Sequence, residues 1–298
     1  MARAKFIGFL AGAAALALCA ASAEAKDIVV GGKNFTEQQI LTSLTSQYLA
    51  GLGYTVDERG GLGSAAVRQA QESGQIDVYW EYTGTSLITY NGVKDKLDAA
   101  ATYKKVSELD AAKGLTWLDA SKANNTYAIA MREDDAKAKG IASISDLAVK
   151  INGGEAVTFA SNAEFYSRPD GLAPMEKAYG FEYGRANVTR MDSGLVYQAL
   201  RDSQVDSGLV FATDGRVPAF KFTILKDDKG YFANYALAPV VRTETLAANP
   251  KLGEQLNAVS ALLTDEVMAK LNASVDVDKK SVEEVAKGFL AEHKLIKG

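Results

Sequence analysis

Cysteine, histidine and proline are scarce in this chain. Its 298 residues include one cysteine, one histidine and five prolines. The cysteine, Cys19, lies in the apolar N-terminal segment, so the rest of the chain has no thiol with which to build a disulfide framework, a zinc cluster or a cysteine nucleophile. The histidine, His293, stands close to the C-terminus. A serine or cysteine triad and a histidine-based metal site are both unexpected on that ground. No G-x-x-x-x-G-K-[ST] phosphate loop occurs. The formal net charge is −4 and no basic run is present, which fits nucleic acid poorly. No bound metal or cofactor is expected.

What is present begins with an export signal. Arg3 and Lys5 precede an apolar run over residues 6–20, and Ala23-Glu24-Ala25 has the A-x-A form of a cleavage site. The run, at roughly 15 residues, is short for a membrane span, and Leu18 is the wrong neighbour for a lipoprotein cysteine at position 19. Residues 1–25 are therefore expected to be a signal peptide, and the protein to be periplasmic, soluble and monomeric. Removing Arg3, Lys5 and Glu24 from 33 basic and 37 acidic residues leaves 31 and 36, a net charge of −5. The remaining length can bury one large core or two smaller ones.

Short β-branched runs alternate with helical stretches, which argues for an α/β fold. A strand over residues 27–31 leads into the polar loop 33–37, and Asn34 or Thr36 is expected to cap the helix that follows. Residues 76–80 form an apolar strand that ends in the polar turn Glu81-Tyr82-Thr83-Gly84-Thr85. Ligands of open α/β sheets sit outside the carboxyl ends of strands, which is where Tyr82 and Thr85 fall. This stretch has an echo: residues 67–85 align without a gap on residues 196–214. Gln69 falls on Gln198, Ala70 on Ala199, Gln75 on Gln204, Asp77 on Asp206 and Tyr82 on Phe211. Two related lobes with a cleft between them are implied, and such clefts are favoured ligand sites. Residues 121–126 are expected to make the first crossing between lobes and residues 213–215 the second. Strands near 222–225 and 236–241 would then lie back in the first lobe. On this division residues 26–124 and 214–298 form lobe 1, residues 125–213 form lobe 2, and two crossings make the hinge.

Three chemistries compete for the site. Gly61-Leu62-Gly63-Ser64-Ala65-Ala66 follows a strand and opens a helix as a dinucleotide fingerprint would, or is simply a tight turn of small residues. Asp77, Glu81 and Asp206 could pair as the carboxylates of a secreted hydrolase. The alternative is that Asp77 and Asp206 brace equivalent turns. The positive signal is aromatic. Tyr82, Tyr127, Phe211 and Tyr235 stand beside loop breaks, where ring faces suit a ligand that cannot hydrogen-bond. A quaternary ammonium is such a ligand, attracted by the ring quadrupole.

Several motifs occur in order: Gly32-Lys33-Asn34-Phe35-Thr36-Glu37-Gln38, Asp77-Val78-Tyr79-Trp80-Glu81-Tyr82-Thr83-Gly84-Thr85, Asn124-Asn125-Thr126-Tyr127, Ser167-Arg168-Pro169-Asp170-Gly171, Ala212-Thr213-Asp214-Gly215 and Phe232-Ala233-Asn234-Tyr235. Together they resemble the substrate-binding proteins of ABC importers for glycine betaine, choline, carnitine and related osmoprotectants. The resemblance implies a two-lobed periplasmic binding-protein fold of type II-like form. It also implies no catalysis, and a partner permease in the inner membrane. It implies an aromatic cage of Tyr82, Tyr127, Phe211 and Tyr235, with Tyr197 and Tyr231 as alternative rings. It further implies a ligand carboxylate meeting Lys33, Thr85 and Arg168, and a backbone oxygen from Asn125 facing the cation. Phe211 departs from the tyrosine usual at its position in that family. Proline, ectoine or an amino acid remains the rival solute.

Overall fold

Among the described residues, ten short strands divide between two five-stranded sheets of the same strand order. The computed structural model describes Met1 and residues 27–296. Met1 apart, the leader expected over residues 1–25 falls outside the described residues. The first sheet runs, in spatial order, β2 (Val56–Leu62), β1 (Ile28–Lys33), β3 (Val78–Tyr82), β10 (Leu237–Arg242) and β4 (Leu115–Trp117). The second runs β7 (Val188–Arg190), β6 (Phe159–Ser161), β8 (Ser207–Phe211), β5 (Tyr127–Arg132) and β9 (Phe222–Ile224). In each sheet the first three strands are parallel and the fourth runs antiparallel to the third. Among the described residues no helix is long and apolar enough to cross a membrane.

The echo read from the sequence is a structural repeat. The helix Ser64–Glu72 precedes β3, and the helix Ser193–Arg201 precedes β8. Both then pass through a left-handed residue, Gly74 at φ 79° and Ser203 at φ 58°. Asp77 accepts the Val29 N–H at 2.9 Å and Asp206 accepts the Thr158 N–H at 2.8 Å. Each aspartate thus pins the start of a central strand to its neighbour, which is the bracing role and not a paired catalytic one. The repeat carries through to the site, because Tyr82 and Phe211 are the last residues of equivalent strands.

Two expectations need correction. The strand at Phe222–Ile224 belongs to the second sheet, where it pairs with β5 (Arg132 opposite Phe222, Ala130 opposite Ile224) and completes the same five-strand order. The chain therefore returns to the first sheet between Ile224 and Leu237, and not at Thr213–Gly215. That return runs beside the outward passage: Asn124 bridges Ala236, the Asn125 N–H donates to the Tyr235 carbonyl at 3.2 Å, and the Tyr235 N–H donates to Asn124 Oδ1 at 2.8 Å. The second correction concerns α1 (Thr36–Gly51), whose cap position is Phe35, with no side-chain cap. Thr36 is drawn away to donate to Asp276 at 2.9 Å. α1 buries Ile40, Leu41, Leu44 and Leu49 against the first sheet.

The segment that leaves β3 towards the cleft is anchored from behind by Asp110. This carboxylate is fully buried and accepts both terminal nitrogens of Arg68 at 2.9 and 2.5 Å, together with Ser86 Oγ at 2.8 Å, Trp117 Nε1 at 2.8 Å and Asn91 Nδ2 at 3.0 Å. Burial alone would raise its pKa, but the Arg68 fork, Asn91 and Trp117 outweigh this and hold the carboxyl below its usual range. A depressed folded pKa gives stability that is present above the unfolded value and lost as pH falls through the folded one. Asp110→Asn leaves the buried Arg68 guanidinium with only the partly exposed Glu72, bonded through Nε at 2.6 Å, as an acidic partner. It should cost about 3–5 kcal/mol at neutral pH, measured as a lower melting temperature. The gap between wild type and variant should narrow only as pH falls below the ordinary carboxylate range, where the native carboxylate finally takes up its proton.

Candidate functional site

Between the sheets lies a cavity of about 940 Å³. Lys33, Tyr82, Thr85, Asn125, Tyr127, Arg168, Phe211 and Tyr235 all line it. The two alternative rings do not. Tyr197 is buried behind Phe211, its hydroxyl accepting the Phe211 N–H at 2.9 Å, and the Tyr231 hydroxyl donates to the Gly171 carbonyl at 3.2 Å. Glu81, weighed as a catalytic carboxylate, is fully buried and paired with Lys33.

Each ring is delivered by a strand end or a crossing. Tyr82 closes β3 and Phe211 closes β8. Tyr127 opens β5 directly opposite Phe211 in the ladder, and their centroids are 5.5 Å apart. Tyr235 sits on the return crossing, edge-on to Tyr127 at 5.5 Å. Gly84 makes room for it, since a Cβ there would meet the Tyr235 ring at 2.8 Å and the Asn234 carbonyl at 2.7 Å. A fifth ring was not anticipated. Phe35, at the start of α1, lies parallel to Phe211 at 5.4 Å and within 6.2 Å of Tyr82, joining the two lobes' aromatics into one cluster. Burial raises the pKa of the Tyr82, Tyr127 and Tyr235 phenols, so all three are neutral at ordinary pH. Two hydroxyls are tied down away from the ring faces: Tyr82 donates to Glu37 and Tyr235 to Asp170.

The charged groups are more committed than the sequence suggested. The Lys33 ammonium is 2% exposed and bonded to Glu81 at 2.6 Å, while standing 5.0 Å from the Tyr82 ring centroid. Arg168 forks onto Asp170 through Nε and Nη2, both at 2.7 Å, with its guanidinium 5.5 Å from the Tyr127 centroid. Burial opposes the Arg168 charge, but Tyr127 and Asp170 more than compensate and raise its pKa. Arg168 Nη1 has no hydrogen-bond partner among the described residues. Thr85, 3% exposed, and Asn125, 6% exposed, complete the polar lining. The side chain of Asn125 donates to Glu37 at 2.9 Å.

Glu37, which the sequence places in the loop 33–37 without a role of its own, has a carboxylate that lines the cavity and joins both lobes. It accepts from Tyr82 and Asn125 on one oxygen, and from Asn272 and the second lobe's Thr213 on the other. Nearby, Arg216 binds Asp214 at 2.5 Å and reaches Asp276 at 3.1 Å, a second tie between the lobes. Adjacency of Phe35 and Glu37 to Lys33 in one loop was the available signal for both. Among the described residues no group of three or more acidic, histidine or cysteine side chains could hold a metal.

Comparison with known proteins gives the family and the fold. Residues 26–292 match the family described as the substrate binding domain of ABC-type glycine betaine transport system. The chain is 47% identical over 280 residues to a glycine-betaine-binding protein of Pseudomonas aeruginosa, covering 92% of this chain and 90% of that one. The solved structure of apo YehZ from Escherichia coli superposes with a TM-score of 0.67 at 32% identity, over 91% of this chain and 100% of that one. A solved structure titled as a glycine betaine/carnitine/choline ABC transporter gives a TM-score of 0.73 at 26% identity, again over 91% of this chain and 100% of that one. The chain belongs to the family of substrate-binding proteins of ABC-type glycine betaine transport systems.

Proposed function

We propose that this chain captures a quaternary-ammonium zwitterion, with glycine betaine as its type, outside the cytoplasmic membrane and delivers it to a membrane permease. The observation that carries the reading is the convergence of Phe35, Tyr82, Tyr127, Phe211 and Tyr235 from two sheets on one cavity. Methyl groups hide the charge of such a ligand from hydrogen-bonding partners, and ring faces attract it nonetheless. Thr85 and Arg168 are the groups we assign to the ligand carboxylate, Arg168 through Nη1. Lys33 contributes chiefly its positive field, since Glu81 already holds its ammonium. The bound zwitterion touches both lobes and so favours their closed arrangement, which the permease reads.

The magnitudes are adequate. A desolvated cation–π contact is worth about 1–2 kcal/mol per ring, so four or five rings give several kcal/mol before the carboxylate is counted. Micromolar affinity requires about 8 kcal/mol net, after the losses of ordering and closure.

A thermal-shift panel of glycine betaine, choline, carnitine, proline and ectoine tests the class. Quaternary amines should raise the melting temperature in proportion to the logarithm of ligand over dissociation constant. A response to proline or ectoine alone would overturn the reading. Phe211→Ala, at a half-buried position whose loss leaves the ladder intact, should weaken glycine betaine by roughly tenfold or more in calorimetry. Unchanged affinity would remove Phe211 from the cage. Arg168→Gln should weaken glycine betaine far more than choline, which has no carboxylate. Equal losses for both ligands would make Arg168 a brace for Asp170 and nothing more.

A further inference from the structure

We propose that Glu37 is a specificity-determining residue. On this view it supplies the fixed negative charge that makes the cavity select a cation over a neutral group of the same shape. The proposal rests on the reading of the ligand as a quaternary ammonium.

Glu37 is 3% exposed in the first turn of α1 and lines the cavity. Its Oε1 accepts the Tyr82 hydroxyl at 2.7 Å and Asn125 Nδ2 at 2.9 Å, and its Oε2 accepts the Thr213 hydroxyl at 2.5 Å and Asn272 Nδ2 at 3.1 Å. An ionised carboxylate has about four lone-pair sites and no proton to give. Four donors, two of them amide N–H groups that can only donate, match that form. Burial raises its pKa above the ordinary value, and these four hydrogen bonds to the carboxylate offset part of that rise.

The charge has no counter-ion among the described residues. The neighbouring cations are committed elsewhere: Lys33 to Glu81, Arg168 to Asp170, and Arg216 to Asp214 and Asp276. Asp214, which is buried, and Asp276, which is half-buried, also lie in the cavity wall, and both have Arg216. A buried charge without its opposite is costly, and attraction to a nearby cation is strong where water is excluded. The cavity is therefore electrostatically incomplete until a cation enters. Glu37 also acts through Tyr82: a phenol donating to a carboxylate is polarised, which enriches the ring face that the cation meets.

The test compares glycine betaine with 3,3-dimethylbutanoate, its carbon isostere, which keeps the shape and the carboxylate but replaces the ammonium nitrogen by carbon. Affinities are measured by calorimetry and by competition, with circular dichroism as a check on folding. Wild type should bind glycine betaine and discriminate strongly against the isostere. In Glu37→Gln, glycine betaine should weaken by roughly tenfold or more while the isostere holds or improves, so their ratio shrinks by at least about tenfold. Glu37→Asp keeps the charge and should keep most of the discrimination. Equal weakening of both ligands in Glu37→Gln, which a purely structural role would give, overturns the proposal. If Glu37→Gln does not fold, Glu37→Asp decides alone: retained discrimination supports the proposal and lost discrimination overturns it. A wild-type protein that binds no quaternary amine would overturn the function proposed above instead.

Discussion

A charge wrapped in methyl groups can neither donate nor accept a hydrogen bond, so it has to be held by surfaces. Surfaces hold well only when they are rigid and converge from several directions. On the proposed reading, that constraint accounts for much of the architecture. Rings at the ends of β3 and β8 are fixed by strand ladders, the ring of Tyr127 by its place opposite Phe211, and the ring of Tyr235 by the paired crossing. Loops alone would not hold aromatic faces at centroid separations near 5.5 Å.

The polar wall follows a related logic. Lys33, Arg168 and Arg216 are each met by an acid within ordinary ion-pair distance. For the ligand proposed, pairing of this kind keeps the buried cations from repelling an incoming ammonium while leaving donor geometry in place for a carboxylate. The same pairs lock side chains around the rings: Asp170 binds Arg168 and the Tyr235 hydroxyl together. The aromatic and ionic parts of the site are thus one packed unit, and a substitution in either is felt by the other.

Much of this was legible in the sequence, for definite reasons. Short-range repetition exposed the duplicated lobes, because Asp77 and Asp206 repeat a turn whose geometry demands an acceptor. Rings next to loop breaks marked Tyr82, Tyr127, Phe211 and Tyr235. What was hidden depends on distant pairings. Phe222–Ile224 is a three-residue edge strand whose sheet is settled only by its ladder with β5. The commitment of Lys33 to Glu81 brings together residues on adjacent strands, β1 and β3, far apart in the chain. Glu37 drew no notice because a glutamate in a first helical turn is ordinary, and its four donors come from four separate segments.

The paired crossing has a kinetic consequence. Asn124 to Tyr127 and Asn234 to Ala236 lie side by side where the chain passes between lobes. A pivot is the place in a moving body that travels least. If the lobes open and close as proposed, Tyr235 and Asn125 keep their mutual position while Tyr82 and Phe211 swing away from each other. An arriving solute then meets a landing point already assembled at the axle, and the remaining walls fold onto it afterwards. Changes at the pivot should mark how quickly a solute is caught, and changes at the swinging rings how long it stays.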